Sequence, residues 1–318
     1  MKHWIRFAAV GLALVGACDG DFAPVSAVSN VRILATQASL PYARPGDMVT
    51  LATLAVDGRA TKAAPLRITY FPTPCVNPED DDVKRCYPAL ADEFPTDTDL
   101  TPMLSEGDTF SLTMPADTVS GHGEARGGPP YGLAYVFVAA CAGHIERVET
   151  SSRGTPPFGC FDGARQRLGA DDFVFAFARV TASDVLKNSN PTIDAVTADG
   201  SPLDPSVGLT VARCSKSSVE DCPTLKLDVA VPSASQEPDP VASSPDSPSG
   251  EEVWLDTYVS AGKVANDRII LYDGLTGKTP DTSNKFFTPQ TAGDFGVWMV
   301  VRANRGGVSW QAFPLHVR

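Results

Sequence analysis

Apolar and polar side chains alternate along much of this chain. Leu225, Leu227, Val229 and Val231 alternate with Lys226 and Asp228, Phe110, Leu112 and Met114 with Ser111 and Thr113, and Leu66, Ile68 and Tyr70 with Arg67 and Thr69. A period of two puts one set on a core face and the other in water, so each run predicts a strand. Two runs are apolar on both faces: Leu133 to Cys141, and Phe173 to Val180, which carries Phe173, Phe175 and Phe177 on one side. They predict central strands covered on both faces. The 26 glycines and 27 prolines concentrate between the runs as turns. No amphipathic helical stretch of any length separates them, and the chain reads as all-β.

The strand pattern breaks near residue 185, after the β-rich run ends and before Asn190-Pro191 opens a new one with Ile193 and Val196. Both halves close in the same way, on a long apolar strand, a loop and a second strand: Leu133–Cys141 with Phe173–Val180, then Val297–Arg302 with Val308–Val317. Short strands joined by turns predict one β-sandwich for residues 29–185 and another for 186–318. Ser233 to Glu251, dominated by Ser, Pro, Asp and Glu, is expected to be a disordered loop (233–251) inside the second.

The start of the chain follows a different rule. Lys2 and Arg6 precede an uncharged apolar stretch from Phe7 to Gly16, and Val15-Gly16-Ala17 leads into Cys18. Basic, apolar, small residues and then cysteine is a secretion signal ending in what resembles a bacterial lipobox. The resemblance implies removal of residues 1–17 and a diacylglyceryl group on the Cys18 thiol, with a further acyl chain such as palmitate. Residues 18–28 would then be a lipid-anchored linker. A membrane-spanning helix fits poorly, because Phe7 to Ala17 reaches only about 16 Å and a bilayer core needs ~30 Å. An ordinary secretory signal cut near a cysteine is the other alternative, and Val15 with two small residues before Cys18 favours the lipobox over it. Acyl chains contribute roughly 0.8 kcal/mol per buried CH₂, so two or more hold a protein on its membrane. Asp19 resembles the inner-membrane retention signal of enteric bacteria; other lineages sort differently, which leaves inner and outer membrane both open.

Two of the 26 basic residues, Lys2 and Arg6, lie in the leader, which leaves 24 against 38 acidic residues and a net charge of −14. An acidic chain without basic blocks argues against nucleic acid as a partner and against docking on anionic lipid through the protein surface. Beyond Cys18, six cysteines fall into three sequence-local couples: Cys75 with Cys86, Cys141 with Cys160, Cys214 with Cys222. They suit disulfides in an oxidising space, with local pairing preferred among the connectivities six cysteines permit. A zinc site is not expected, because no CxxC occurs and His3, His122, His144 and His316 do not stand at ligand spacings.

No residue pattern announces catalysis. Glu79-Asp80-Asp81-Asp82, between Cys75 and Cys86, matches no calcium-loop spacing and reads as a solvated acidic loop. His122-Gly123-Glu124 opens a glycine-rich loop running through Arg126, Gly127, Gly128, Pro129 and Pro130; it lacks a second ligand set and a phosphate-loop signature, and reads as a surface loop. His144 and Glu146 decorate the loop that Cys160 closes, and no GxSxG is present. Trp254, Trp298 and Trp310 are either core or, if exposed, stacking platforms for sugar rings or a protein partner. Trp298 alternates with Val297 and Met299, so one face of that strand must point outward or against another layer.

Pro45-Gly46-Asp47-Met48-Val49-Thr50-Leu51 resembles the turn-then-strand pattern of bacterial immunoglobulin-like domains, and Asn190-Pro191-Thr192-Ile193, leading to Asp199-Gly200, resembles the opening of a second. The whole resembles lipoproteins of myxobacteria and their relatives. The fold this implies is two immunoglobulin-like β-sandwich domains in tandem, although none of the cysteine couples looks like the bridge that ties the two sheets of an antibody domain together. The expected function is a non-catalytic lipoprotein of the cell envelope, on the inner or outer membrane. It would bind or scaffold an envelope protein through sandwich loops, foremost those closed by Cys75–Cys86 and Cys141–Cys160. Two alternatives stand beside it: glycan binding through Trp298 or Trp310, and a secreted hydrolase using His122 or His144 with a nearby carboxylate. No metal, cofactor or catalytic residue is expected under the first reading.

Overall fold

The computed structural model describes residues 23–62, 64–123, 128–150, 152, 154–240 and 249–318. The expected leader 1–17 and acylation site Cys18 lie outside the described residues, as do Glu124, Arg126 and Gly127 of the glycine-rich loop and 241–248 of the low-complexity stretch.

The first half runs through β1 (Val31–Ala38), β2 (Tyr42–Ala43), β3 (Met48–Asp57), β4 (Arg67–Tyr70) and β5 (Cys75–Val76). A short helix, α1 (Cys86–Asp92), leads on to β6 (Ser105–Glu106), β7 (Thr109–Thr113), β8 (Gly132–Cys141), β9 (His144–Arg147), β10 (Phe158–Phe161) and β11 (Phe173–Ala182). One sheet has the order β1-β3-β7 and the other β2-β11-β8-β4-β6.

The second half repeats the plan. It runs through β12 (Ala195–Ala198), β13 (Ser201–Pro202), β14 (Leu209–Val211), β15 (Thr224–Ala230), β16 (Val253–Val259) and β17 (Lys263–Val264). Then come β18 (Arg268–Asp273), β19 (Gly277–Lys278), β20 (Asn284–Phe287), β21 (Gly293–Ala303) and β22 (Val308–Val317). Its sheets are β13-β12-β15-β20-β17 and β14-β22-β21-β16-β18-β19. In each half a short early strand pairs parallel with the last strand, β2 with β11 and β14 with β22, while the long pairs β8–β11 and β21–β22 are antiparallel. Two facing sheets, in one of which an early strand crosses over to join the last, make the immunoglobulin-like sandwich.

Alternation decides which side chains fill each sandwich. Val49 and Leu51 of β3, Tyr70, Val136, Val138 and Val180 form the first core. Leu227, Val229, Leu255, Phe286, Met299 and Phe313 belong to the second. Gly46, at φ +88°, makes the turn into β3 and donates its N–H to the Met114 carbonyl at 2.8 Å. That left-handed conformation is one a side chain disfavours.

The halves pack side by side. Leu34, Ala35 and Val56 of the first meet Tyr258, Val300 and Val308 of the second, with Trp298 and Trp310 partly buried against them. Across this seam Gln37 donates to the Val308 carbonyl at 2.6 Å and Arg302 to the Leu34 carbonyl. Asn190 bonds both ways: its side-chain N–H to the Ala38 carbonyl at 2.7 Å, its side-chain oxygen from the Val308 N–H at 2.9 Å. Gly307 lets the linker through, since a Cβ there would stand 2.6 Å from the Ser189 carbonyl oxygen.

Before β1, the chain crosses the second half as a strap. Val28 N–H donates to the Val259 carbonyl, and Val259 N–H to that of Ser26, both at 2.9 Å. The Arg32 guanidinium binds the carbonyls of Val25 and Ala27 and lies 5.4 Å over the Tyr258 ring. The low-complexity stretch is held at both ends, in contrast to the expected loose loop. Ser233–Ser235 forms a 3-10 turn, Pro238 bridges to Gly250, and Gln236 donates to the Glu251 and Asp273 carbonyls at 3.0 and 2.8 Å.

Candidate functional site

The outer face of β8 carries a third layer, built from two insertions into the first sandwich. One runs from Phe71 to Leu104 and holds β5 and α1; the other, between β8 and β11, holds the β9–β10 hairpin. Each is closed by a disulfide, Cys75–Cys86 and Cys141–Cys160. A third disulfide, Cys214–Cys222, closes the turn before β15. In the chain-entropy account each closed loop contributes about 2–3 kcal/mol. Three disulfides are the mark of an oxidising compartment such as the periplasm or the cell surface.

This layer explains why β8 is apolar on both faces. Ala134, Val136 and Val138 point into the sandwich core, while Leu133, Tyr135, Phe137, Ala139 and Cys141 point into a second core under the insertions. The helix α1 buries Cys86, Tyr87, Leu90 and Ala91 there, the spacing of one helical face. Phe71 gathers the rest, with ring centroids 4.5 Å from Phe158, 5.5 Å from Phe94 and 5.4 Å from Phe175. The helix was not expected from the sequence; Tyr87, Leu90, Ala91 and Phe94 carry its signal, in a run too short to stand out.

The two insertions are tied to each other as well as to the sheet. Thr96 bridges to Arg147 in parallel, Arg147 donates to the Phe94 carbonyl at 2.8 Å, and Leu100 N–H to the Ile145 carbonyl at 2.9 Å. Glu146 is buried beneath this junction. Arg165 grips it with two N–H groups at 3.0 and 2.7 Å, and His144 Nε2 lies 2.7 Å from its Oε1. The Arg165 bonds hold the Glu146 carboxyl below the usual carboxylate range, so it is an ion-pair partner and a poor proton acceptor.

A cleft opens over this junction, with a volume of about 540 Å³ and walls that include Thr96, Asp97, Glu146, Arg147 and Glu149. It continues past Thr96, Arg147 and Glu149 into a hollow of about 480 Å³ beside Tyr87, Asp92 and Pro157. With Arg165 and Glu146 paired to each other, Asp92, Asp97 and Glu149 outnumber Arg147 and give the rim a net negative sign; Arg147 stands 3.8 Å from Asp92.

The other sequence-singled residues have definite places. Asp81, from the acidic run, is bound by Tyr131 O–H at 2.7 Å and lies 2.9 Å from His122 Nε2, while Tyr135 O–H donates to its carbonyl at 2.8 Å. Burial pushes Asp81 up, but Tyr131 and His122 outweigh it and hold the carboxyl low; the same bond pushes Tyr131 up to about 12. Of the acidic run, only Asp81 is drawn in; Glu79, Asp80 and Asp82 are exposed, as expected of a solvated acidic loop. Both histidines meet a carboxylate, yet among the described residues neither ring bonds a serine, threonine or cysteine that could act as nucleophile. No group of His, Cys, Asp or Glu suited to a metal occurs among the described residues. Trp298 and Trp310 stand on the outer face of β21 and β22, against the seam between the halves. Trp254 shares that face, with Arg268 4.9 Å over its ring. No helix among the described residues is long and apolar enough to cross a membrane.

No protein-family model matches the chain, and no curated protein matches it in sequence. Solved structures that match the chain include fibronectin(III)-like modules of CbhA from Clostridium thermocellum, at 10% identity, 91% of this chain, 94% of that one and a TM-score of 0.22. The N-terminal Ig1-2 module of the Drosophila receptor protein tyrosine phosphatase DLAR matches at 9% identity, 91% of this chain, 99% of that one and a TM-score of 0.23. Dimeric latent PorU from Porphyromonas gingivalis matches at 12% identity and a TM-score of 0.22; 91% of this chain aligns, spanning only 24% of PorU. At such identities and scores, the fold assignment rests on the strand order itself.

Proposed function

We propose that this chain is a non-catalytic lipoprotein of the cell envelope, anchored through Cys18, that binds a partner protein through the disulfide-braced layer of the first sandwich. The observation that carries the binding half of the reading is the meeting of the two disulfide-closed insertions around one cleft, where Thr96, Arg147 and Glu149 line both hollows. A sandwich face needs no third layer to close its core, and loops positioned by a rigid scaffold are where recognition sites are commonly built. The acidic rim favours a partner segment carrying basic side chains, since complementary charge steers encounter and excludes wrong partners. The anchor half rests on the lipobox-like approach to Cys18 and on the oxidising compartment that the disulfides require.

Affinity purification from membranes of cells expressing the full chain tests both halves. The account expects one envelope protein to co-purify in near-equal amount, and to fall at least tenfold when Asp97, Arg147 and Glu149 are changed together to Ala. Recovery unchanged by that triple substitution would overturn the binding site. Cys18→Ala should release the protein from membranes with loss of the acyl mass; retention with no mass difference from wild type would overturn the anchor.

A further inference from the structure

The strap fixes where the chain would leave the folded body on its way to the membrane. Pro24 to Val28 is not a loose leader: it is bonded to the end of β16 at Val259 and clamped by Arg32. Ala23 therefore lies beside the loops at one end of the second sandwich. They share a groove of about 740 Å³ lined by Ala23, Pro24, Val219, Lys263, Gln290 and Phe295. That end is stiff: Cys214–Cys222 closes its turn, Cys214 N–H binds the Pro289 carbonyl at 2.8 Å, and Lys263 pairs with Glu220 at 2.6 Å.

Five residue steps separate Cys18 from Ala23. Even fully extended, they span no more than about 18 Å. By contrast β21, which starts at this end and finishes at the turn holding Asn304, has 11 residues and is about 35 Å long. The anchor can reach a bilayer only from the strap end.

We infer that the end of the second sandwich formed by Val219–Glu220, Ser260–Lys263 and Pro289–Thr291 is the face turned to the lipid bilayer. This rests on acylation of Cys18 as proposed above. The tether sets the orientation, not surface charge: at this end Lys263 pairs with Glu220 and Arg318 with Asp294 at 2.7 Å, while Arg213 and Lys216 stand exposed near Asp221 in sequence, so the end carries both signs. The same orientation therefore holds on uncharged lipid.

The test uses the full acylated chain in phosphatidylcholine vesicles, with a fluorophore clicked onto an unnatural residue at exposed Thr291 or exposed Asn304 and an acceptor dye on the lipid headgroups. The inference expects strong transfer from Thr291 and at least threefold weaker transfer from Asn304. Equal transfer, or stronger transfer from Asn304, overturns it while leaving acylation intact. Arg32→Ala, which removes the side-chain clamp and leaves the backbone bonds to Val259, should shrink the difference between the two sites while mass and vesicle retention stay unchanged; a difference that persists in full would overturn the strap as what sets the orientation. A chain that lacks the acyl mass and stays in solution would instead bring down the anchor reading, and this inference with it.

Discussion

The guanidinium of Arg305 lies 4.9 Å over the ring of Tyr42, joining the last turn of the second sandwich to the edge of the first. Arg305 is buried, and its remaining N–H groups donate to the carbonyls of Lys187 in the linker, at 2.6 Å, and Pro238, at 3.0 Å. One side chain thus touches both sandwiches, the linker and the low-complexity stretch.

Arg305→Ala removes all of these contacts and leaves two carbonyls without partners. It should cost about 2–4 kcal/mol, read as a lower denaturation midpoint. Arg305→Lys should recover only part, because an ammonium cannot stack flat on Tyr42 while reaching two carbonyls. Thermal or urea denaturation of the three proteins checks this.

Glu251 is 0% exposed, neither of its carboxylate oxygens has a hydrogen-bond partner, and Arg305 stands 3.9 Å away. Burial pushes its pKa up to about 7, against the pull of Arg305 and with the help of Glu237 and Asp239. The folded state therefore holds this proton more tightly than the unfolded chain does. Its favourable contribution is complete below about pH 4.5 and is lost as pH rises through about 7. Glu251→Gln, which mimics the protonated acid, should be more stable than wild type at pH 8.5, by on the order of 2–3 kcal/mol. At pH 4.5 the two should nearly coincide. Denaturation curves at both pH values give the answer, and an equal difference at each would contradict this assignment.

Changing Cys141 and Cys160 together to Ala should cost about 3 kcal/mol and loosen the β9–β10 hairpin that floors the cleft. The same change at Cys214 and Cys222 should cost a similar amount and leave the cleft untouched, since that bridge lies in the other half. Amide exchange in residues 144–161 separates the two: it should rise in the first variant only.

Much of the fold was legible in period-two alternation. The alternating run from Leu225 to Val231 falls on β15 (Thr224–Ala230), with Leu227 and Val229 buried in the strand and Val231 just past its end, and the two-sided apolarity of Leu133 to Cys141 correctly required cover on both faces. What supplies that cover was not legible. The helix from Cys86 to Asp92 spans under two turns, and Pro88 at its start disguises the pattern of Tyr87, Leu90 and Ala91. The position of Trp298 between Val297 and Met299 called for a second layer; that the first sandwich provides it depends on contacts such as Gln37 with Val308, 271 residues apart. Local periodicity carries no information at that range. The cleft was foreseen only as two cysteine-closed loops, because Thr96 and Arg147 come together through tertiary packing, and buried Glu251 lies in a stretch whose composition reads as solvated.

Photo-cross-linking in whole cells tests the central claim most directly, with a photoreactive residue at Glu149 in the cleft and, as a control, at exposed Asp281 in the second half. A single envelope protein joined from Glu149 and absent from Asp281 is the predicted result. No adduct from Glu149, or the same adducts from both positions, would contradict the assignment of partner binding to the disulfide-braced layer.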